Sequence, residues 1–391
     1  MKRLILIALI LNINILFSND DIHQLITNDE TVLTHLIDAD VYNKEKICIV
    51  DGLTGELTVF DYSTGRQLSS YGLDFYLTDT LAQKMSKIDP QKKWVTIREL
   101  CIAKGDNDSP EIVNGLKKFV RHSFNKARFI NKNEIIASGT IATNFTYNEY
   151  GIIEWGMATI VCVFNINLKD NKIKIIGIDH SQINNSDYYF YNSYFEFQKK
   201  EQEILLYVEK FPEYDNISIA SFDLNMNFKK VKNYLPNNEF NDEFREYRFD
   251  EFLICSENEI ITLYQYSPYI YLKGKKIARI KELEDCNIYG KLSRDKEFFL
   301  QNIDSLCSFC IFDTDINLNQ GRFNILYMDK HQNSKTILSK YTTQGKRISY
   351  KEIKKPSKYD SIDRYIINNH NNDVITFYKL NDEYYFSVTE N

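Results

Sequence analysis

The chain has 391 residues, of which 26% are charged, and a formal net charge of −6. That length is enough for one large repeat fold or two ordinary domains, and the mild acidic balance gives no basis for nucleic-acid binding. Aromatic residues make up 14% of the chain, with 27 Tyr and 25 Phe against 2 Trp. Such residues suit pleated, half-buried surfaces, so the composition points to an all-β fold rather than a helical one. With only 6 Pro and 14 Gly, many turns must rest on Asn and Asp, which tolerate left-handed backbone.

Taken in order, the chain starts with Lys2 and Arg3, an apolar stretch from Leu4 to Phe17 broken only by Asn12 and Asn14, and the small residue Ser18. This is the pattern of a secretory signal peptide over residues 1–18, which predicts cleavage after Ser18 and a secreted or periplasmic protein whose single domain spans residues 19–391. No later stretch is apolar enough to predict a transmembrane helix. Asp20 to Leu36 is expected to open with a short helix (Ile22, Leu25, Ile26) and to continue into a strand over Glu30–Ile37.

Ile47 to Gly72 reads as three short strands joined by the turns Asp51–Gly55 and Tyr62–Gly65, both with residue types that antiparallel connections need. From Tyr76 to Lys93 the period changes to a helical one, with Leu77, Leu81, Met85 and Ile88 on one face. Trp94–Ala103 is again strand-like. The polar loop Lys104–Glu111 follows, with helical turns around Ile112, Leu116 and Phe119. Beyond Ala127 the strand–turn–strand form recurs to the end of the chain.

The recurring element is an apolar strand ending in Phe-Asp or similar, a turn, and a strand starting with Lys or Arg. It stands as VFDYSTGRQL from Val59, VFNINLKDNKIKI from Val163, SFDLNMNFKKV from Ser221 and SKYTTQGKRIS from Ser339. Repeats that cannot bury their own faces must stack, and a ring of four-stranded sheets does so with little free edge. The expected fold is therefore an all-β β-propeller. Counting strand groups gives six four-stranded blades, five or seven being compatible with the uneven spacing. The early strand Glu30–Ile37 is the candidate to close the ring, and the helical stretches are short insertions. A β-sandwich with extra hairpins is the alternative, and it rarely uses this many strands.

The stretches Val41–Gly72 and Ser221–Val231 resemble blades of six-bladed β-propellers of the NHL-repeat type. More closely, they are similar to a group of secreted bacterial six-bladed propeller proteins whose blades read strand, Asp, turn, Phe-Asp-x-x-Gly-Lys. Ala103–Ile112 is similar to the loop that precedes a blade in that group. Two departures stand out: no Gly separates Pro110 from Glu111, and Met226 occupies the place of the turn Gly. The resemblance implies a fold and a surface habitat but no shared catalytic set.

Residues that carry chemistry are few. Of the seven cysteines, Cys48, Cys101, Cys162 and Cys255 lie in apolar strand-like runs and read as small buried hydrophobes. Cys307 and Cys310 form the one Cys-x-x-Cys pair among the seven, which also include Cys286. Their flanks read as strand, and no second pair completes a zinc site. Asp313, Asp315 and Asn317 place oxygen side chains at alternate positions, as calcium loops do. However, the sixth and twelfth places hold Leu318 and Asn324 instead of Gly and Glu, so no metal and no cofactor is expected. The tyrosine tracts Tyr188–Tyr194 and Tyr264–Tyr271 suit either blade packing or stacking on a sugar. No catalytic or binding residue can be singled out.

The expected function is that of a monomeric binding or interaction module for a protein or glycan ligand. The alternative is a propeller-fold hydrolase or lyase acting on extracellular glycans, which would bring two acids about 5–10 Å apart at the axis. A structural envelope protein without a small ligand is the third reading.

Overall fold

The computed structural model describes residues 22–28, 31, 33–73, 122–147, 153–178, 188–198, 201–210, 217–232, 251–255, 260–264, 269–272, 275–279, 309–317, 321–329, 335–342, 344–354, 361–367 and 373–389. Among these, 24 strands form six antiparallel four-stranded sheets. A two-residue strand β1 (His23–Gln24) comes first. Blade 1 is β2 (Leu36–Tyr42), β3 (Lys46–Asp51), β4 (Leu57–Asp61) and β5 (Gln67–Tyr71). Blade 2 is β6 (His122–Asn131), β7 (Glu134–Tyr147), β8 (Ile153–Asn167) and β9 (Lys172–Ile178), and blade 3 is β10 (Tyr188–Gln198), β11 (Glu203–Lys210), β12 (Ile217–Phe222) and β13 (Phe228–Lys232). Blade 4 holds β14 (Glu251–Cys255), β15 (Ile260–Tyr264), β16 (Tyr269–Leu272) and β17 (Lys275–Arg279). Blade 5 holds β18 (Phe309–Asn317), β19 (Arg322–Asp329), β20 (Lys335–Thr342) and β21 (Arg347–Ile353). Blade 6 is β22 (Ser361–Ile367), β23 (Val374–Leu380) and β24 (Glu383–Thr389), completed by β1.

The first strands of the blades are the inner ones. β14, β18, β22, β2, β6 and β10 follow one another in contact in that order. The fold is the expected β-propeller, with one correction at its seam. The strand that closes the ring is β1, paired with β24 through His23↔Phe386 and Gln24↔Tyr385, and not the segment Glu30–Ile37.

The helix expected around Ile22, Leu25 and Ile26 does not form either. A single helical turn is costly to nucleate, whereas the free edge of β24 offers ready-made partners. Leu25 N–H donates to Tyr384 O at 2.8 Å. Ile26 then crosses to blade 1, donating to Gly65 O at 2.8 Å and accepting from Gln67 N–H at 2.9 Å. The segment thus laces blade 6 to blade 1. The expected helix Tyr76–Lys93, strand Trp94–Ala103, loop Lys104–Glu111 and turns near Ile112–Phe119 lie outside the described residues.

Period-two alternation divides central strands of blades 1, 2 and 6 between two blade junctions. On β3, Cys48 and Val50 pack with Phe124, Phe129, Ile135 and Phe164 of blade 2. Ile47 and Ile49 of the same strand pack with Ile375, Phe377 and Phe386 of blade 6. This double burial is why Ile47–Val50 reads as an unbroken apolar run. Fully burying each such side chain contributes about 1.5–3 kcal/mol. Cys48 and Cys162 are buried in this core, as their apolar surroundings lead one to expect.

The Phe-Asp element caps the outer hairpins. Asp61 accepts from Ser63 Oγ at 2.7 Å and from Thr64 N–H and Oγ1 at 2.8 Å, and these donors hold its carboxyl below the usual range. Asp223 accepts from Asn225 N–H and Asn227 N–H at 2.8 Å in blade 3. Thr342 replaces the acid in blade 5, accepting from Lys346 N–H at 3.2 Å. Other turns rest on Asn and Asp with positive φ, namely Asn43, Asn171, Asn381 and Asp382.

These hairpins also form a repeated joint between blades. The turn residues Gly65 and Gly345, with φ of 66° and 82°, sit so close to Gln24 of β1 and Ala278 of β17 that no side chain fits. In blade 3 the exchange is reversed. Met226 takes the left-handed position at φ 63°, and the receiving strand β9 supplies the glycine, since a Cβ on Gly177 would stand 2.8 Å from Met226 Cε. The Met at the turn-glycine position is therefore a compensated swap.

Asp51 anchors the entry to the inner strand. Its oxygens accept from Thr34 Oγ1 at 2.7 Å and from the N–H groups of His35, Leu53 and Thr54 at 2.9 Å. Burial pushes its carboxyl up, but the donors of Thr34, Thr54 and His35 outweigh burial and hold it below the ordinary value.

Two outcomes are expected. Gly177→Ala should destabilise by about 1–3 kcal/mol through overpacking, and adding Met226→Gly should recover most of the loss, a non-additivity that a denaturant double-mutant cycle measures. Because the Asp51 carboxyl is depressed on folding, its stabilisation is present above the unfolded value of about 3.9 and is lost as pH falls through the folded value. Asp51→Asn should therefore cost about 1–3 kcal/mol at pH 7 and flatten the acid limb below about pH 4, as urea unfolding at the two pH values reads.

Candidate functional site

The inner strand of a propeller blade has one edge without a strand partner, and its N–H groups must find acceptors elsewhere. Here side-chain carboxylates of the preceding blade supply them. Asp38 Oδ2 accepts from Ala127 N–H and Asp40 Oδ2 from Phe129 N–H, both at 2.8 Å, joining β2 to β6. Asp363 Oδ2 accepts from Leu36 N–H at 3.0 Å, joining β22 to β2.

A bulge sets the height of these groups. The pairing of inner to second strand shifts between Leu36 and Asp38, Phe124 and Lys126, Ile311 and Asp313, and Ile362 and Arg364. One extra residue re-aims the strand that follows it. In these four blades the first residue after the bulge is charged: Asp38, Lys126, Asp313 and Arg364. Two residues further on stand Asp40, Arg128 and Asp315 in blades 1, 2 and 5. Asp313, Asp315 and Asn317 thus belong to the inner strand β18, where Asp313 and Asp315 repeat the register of Asp38 and Asp40 in blade 1. Their alternation is that of a strand.

Charges from four blades converge on the axis. Arg128 Nη1 lies 2.7 Å from Asp38 Oδ2 and donates to Ala127 O at 2.8 Å, while Arg128 Nε is 3.8 Å from Glu196 Oε1. Arg128 and Asp38 are 11% and 4% exposed, so this pair is strengthened by low dielectric and vulnerable to loss of either partner. The charges of Asp38, Arg128, Glu196 and Arg364 all act on the Lys126 amine. Burial first, and then the guanidiniums of Arg128 and Arg364, hold it below its ordinary value. Arg364 Nε is buried without a hydrogen-bond partner.

Away from the axis, a cleft of about 630 Å³ on blade 5 is lined by Arg322, Thr342, Gln344, Lys346, Arg347 and Ile348. The tyrosine tracts divide. Tyr271 is buried in the core, whereas Tyr269 is half-buried beneath Lys276 Nζ, which stands 3.6 Å from its ring centre. Tyr188–Tyr194 lie on β10. Cys310 is on β18 and Cys255 on β14, while Cys101, Cys286 and Cys307 lie outside the described residues.

The sequence did not single out Asp38, Lys126, Arg128, Glu196 or Arg364. The one signal available was the alternation of charged with apolar residues within strands, as in Lys126-Ala127-Arg128-Phe129. In an ordinary sheet that pattern denotes a solvated face.

No protein-family model matches the chain, and no curated protein matches it. Among solved structures it is similar to a candidate exported protein of Bacteroides fragilis, at 10% identity over 95% of this chain and 94% of that one, with a TM-score of 0.45. It is also similar to the β-propeller domain of Cps50 (Swd1) from Myceliophteria thermophila, at 6% identity over 90% and 84% of the two chains, TM-score 0.40. A third likeness is to virginiamycin B lyase from Staphylococcus aureus, at 8% identity over 94% and 98%, TM-score 0.39. No activity or ligand is carried over from these proteins.

Removing the acid at the centre of the cluster should be costly. Asp38→Ala leaves Arg128 and the Ala127 N–H without their main acceptor and should destabilise by about 3–5 kcal/mol. Asp38→Asn, whose amide oxygen still accepts, should cost less, and chemical denaturation of both variants checks the order.

Proposed function

We propose that the protein is an exported binding module, a single propeller domain from residue 19 onward that engages a glycan or protein ligand as a monomer. The observation that carries this reading is the employment of the axial acids. Asp38 is tied to Arg128 and Ala127 N–H, Asp40 to Phe129 N–H, and Asp363 to Leu36 N–H. A glycoside hydrolase needs one acid free to protonate the leaving group and a second free to attack or to activate water. Acids already holding neighbouring blades together are poorly placed for either task, which disfavours the hydrolase or lyase alternative.

Export is supported by Lys2 and Arg3, the apolar run Leu4–Phe17 and Ser18. The NHL-like blade form of Val41–Gly72 supports placement among secreted bacterial six-bladed propellers.

Mass spectrometry of the protein from its producing cell should find a mature N-terminus at Asn19. Incubation of that mature form with a polysaccharide array should give retention without release of shortened products. Product release that disappears in Glu196→Gln would replace the binding reading with a catalytic one.

A further inference from the structure

We infer that the rim of blades 4 and 5 binds an acidic polysaccharide, with a carboxylate or sulfate group seated in the blade 5 cleft. This rests on the binding-module reading and gives it a place and a ligand class. The two stretches of chain that build this rim are basic, although the protein is acidic. Residues 260–281 hold five Lys or Arg and no acid, and residues 330–359 hold nine and one acid, Glu352, in a chain of net charge −6. Glu352 is taken up by Lys335, 3.1 Å away. The acids that bound these stretches are Glu259, Glu282, Asp329 and Asp360.

The fold brings the two stretches together. Gly345 presses on Ala278 of β17 so closely that no side chain fits between them. Lys276 and Arg279 of β17 therefore flank the turn that carries Lys346 and Arg347. Beside that turn lies the cleft of about 630 Å³, where Arg322, Lys346 and Arg347 supply charge and Thr342 and Gln344 supply neutral hydrogen-bonding groups. Asn317 stands opposite Arg322, and the nearest β18 acid, Asp315, stands opposite Asn324, two residues along the strand. The positive sign does not depend on Arg322, because Lys346 and Arg347 line the cleft too, and the turns Leu318–Gly321 and Thr342–Gly345 contain no acid. It rests on summed charge rather than on any cation lacking a partner. A cleft lined by one sign of charge focuses its field and concentrates ions of the other sign, and a guanidinium fork matches planar oxyanions.

Lysine on an outer strand is a common guard against edge pairing, but a guard needs no cleft and no apolar groups beside the charge. Ile348 and Tyr350 of β21 are 43% and 65% exposed, two of the five large apolar side chains that stand out among the described residues. The Arg347 guanidinium lies 5.2 Å from the Tyr350 ring centre. An aromatic face next to a guanidinium suits a sugar that carries an acid, since the ring stacks and the acid pairs. A nucleic-acid strand calls for a series of stacking rings, and among the described residues the cleft lining has none.

The test uses the mature protein and three variants: Lys346→Ala/Arg347→Ala in the cleft, Tyr350→Ala beside it, and Lys172→Ala/Lys174→Ala. The last pair removes two exposed cations from another outer strand, β9. Calorimetric titration at one fixed salt concentration employs oligogalacturonate, dextran sulfate, neutral dextran and a single-stranded oligonucleotide. The expected result is saturable binding of oligogalacturonate or dextran sulfate and none of dextran. The cleft pair should weaken it by at least about tenfold and Tyr350→Ala by about threefold or more, with the β9 pair matching the parent. Oligogalacturonate alone or dextran sulfate alone would identify the oxyanion as carboxylate or sulfate.

All three variants change exposed side chains and should melt within about 2 °C of the parent, so lost binding is not lost fold. Equal weakening in the β9 pair would reduce the effect to unspecific attraction and overturn the proposal. Parent-like affinity in the cleft pair or in Tyr350→Ala, no binding of either acidic glycan, or tighter binding of the oligonucleotide would overturn it too. Those results leave the binding-module reading to stand or fall on the array experiment.

Discussion

The inner strands of this ring have a bare edge facing the axis, and the manner in which that edge is satisfied shapes much of what surrounds it. A buried N–H with no acceptor is destabilising by about 1–3 kcal/mol, so several in a row would open the ring. Asp38, Asp40 and Asp363 answer this by reaching across blade boundaries to Ala127, Phe129 and Leu36. Burying those acids then calls for cations nearby, and Arg128 meets the demand between blades 1, 2 and 3. The charge at the axis therefore follows from closing the ring.

The blades meet through cores that are shared rather than owned. One face of β3 belongs to the junction with blade 2 and the other to the junction with blade 6. A blade whose two faces are buried only against its neighbours depends on them for its stability. The outer joints repeat the logic at smaller scale, with a left-handed turn residue pressed against the outer strand of the preceding blade. That joint requires one small partner, and the exchange between Gly65 or Gly345 in the turn and Gly177 in the receiving strand shows that either side can supply it.

Much of this was legible in the sequence. Ile47–Val50 as a doubly buried strand, the Phe-Asp turns at Asp61 and Asp223, and the recurrence of hairpins all follow from local pattern. The seam was not. Ile22, Leu25 and Ile26 have helical spacing, and only the presence of the waiting β24 edge turns His23–Gln24 into a strand. The axial charge cluster was equally hidden, because Asp38, Lys126, Glu196 and Arg364 are scattered over more than 300 residues of chain and look like ordinary polar positions on strands.

By itself the sequence determined the element type and the need to stack, since period-two alternation, turn chemistry and unbroken apolar runs are set by neighbours along the chain. Tertiary structure alone decided which segment closes the circle, that Met226 and Gly177 are partners, and that Asp313 continues the register of Asp38. Those facts depend on bulges and on contacts between distant strands. A one-residue shift in pairing changes the face on which a side chain emerges while leaving the local pattern of residues the same.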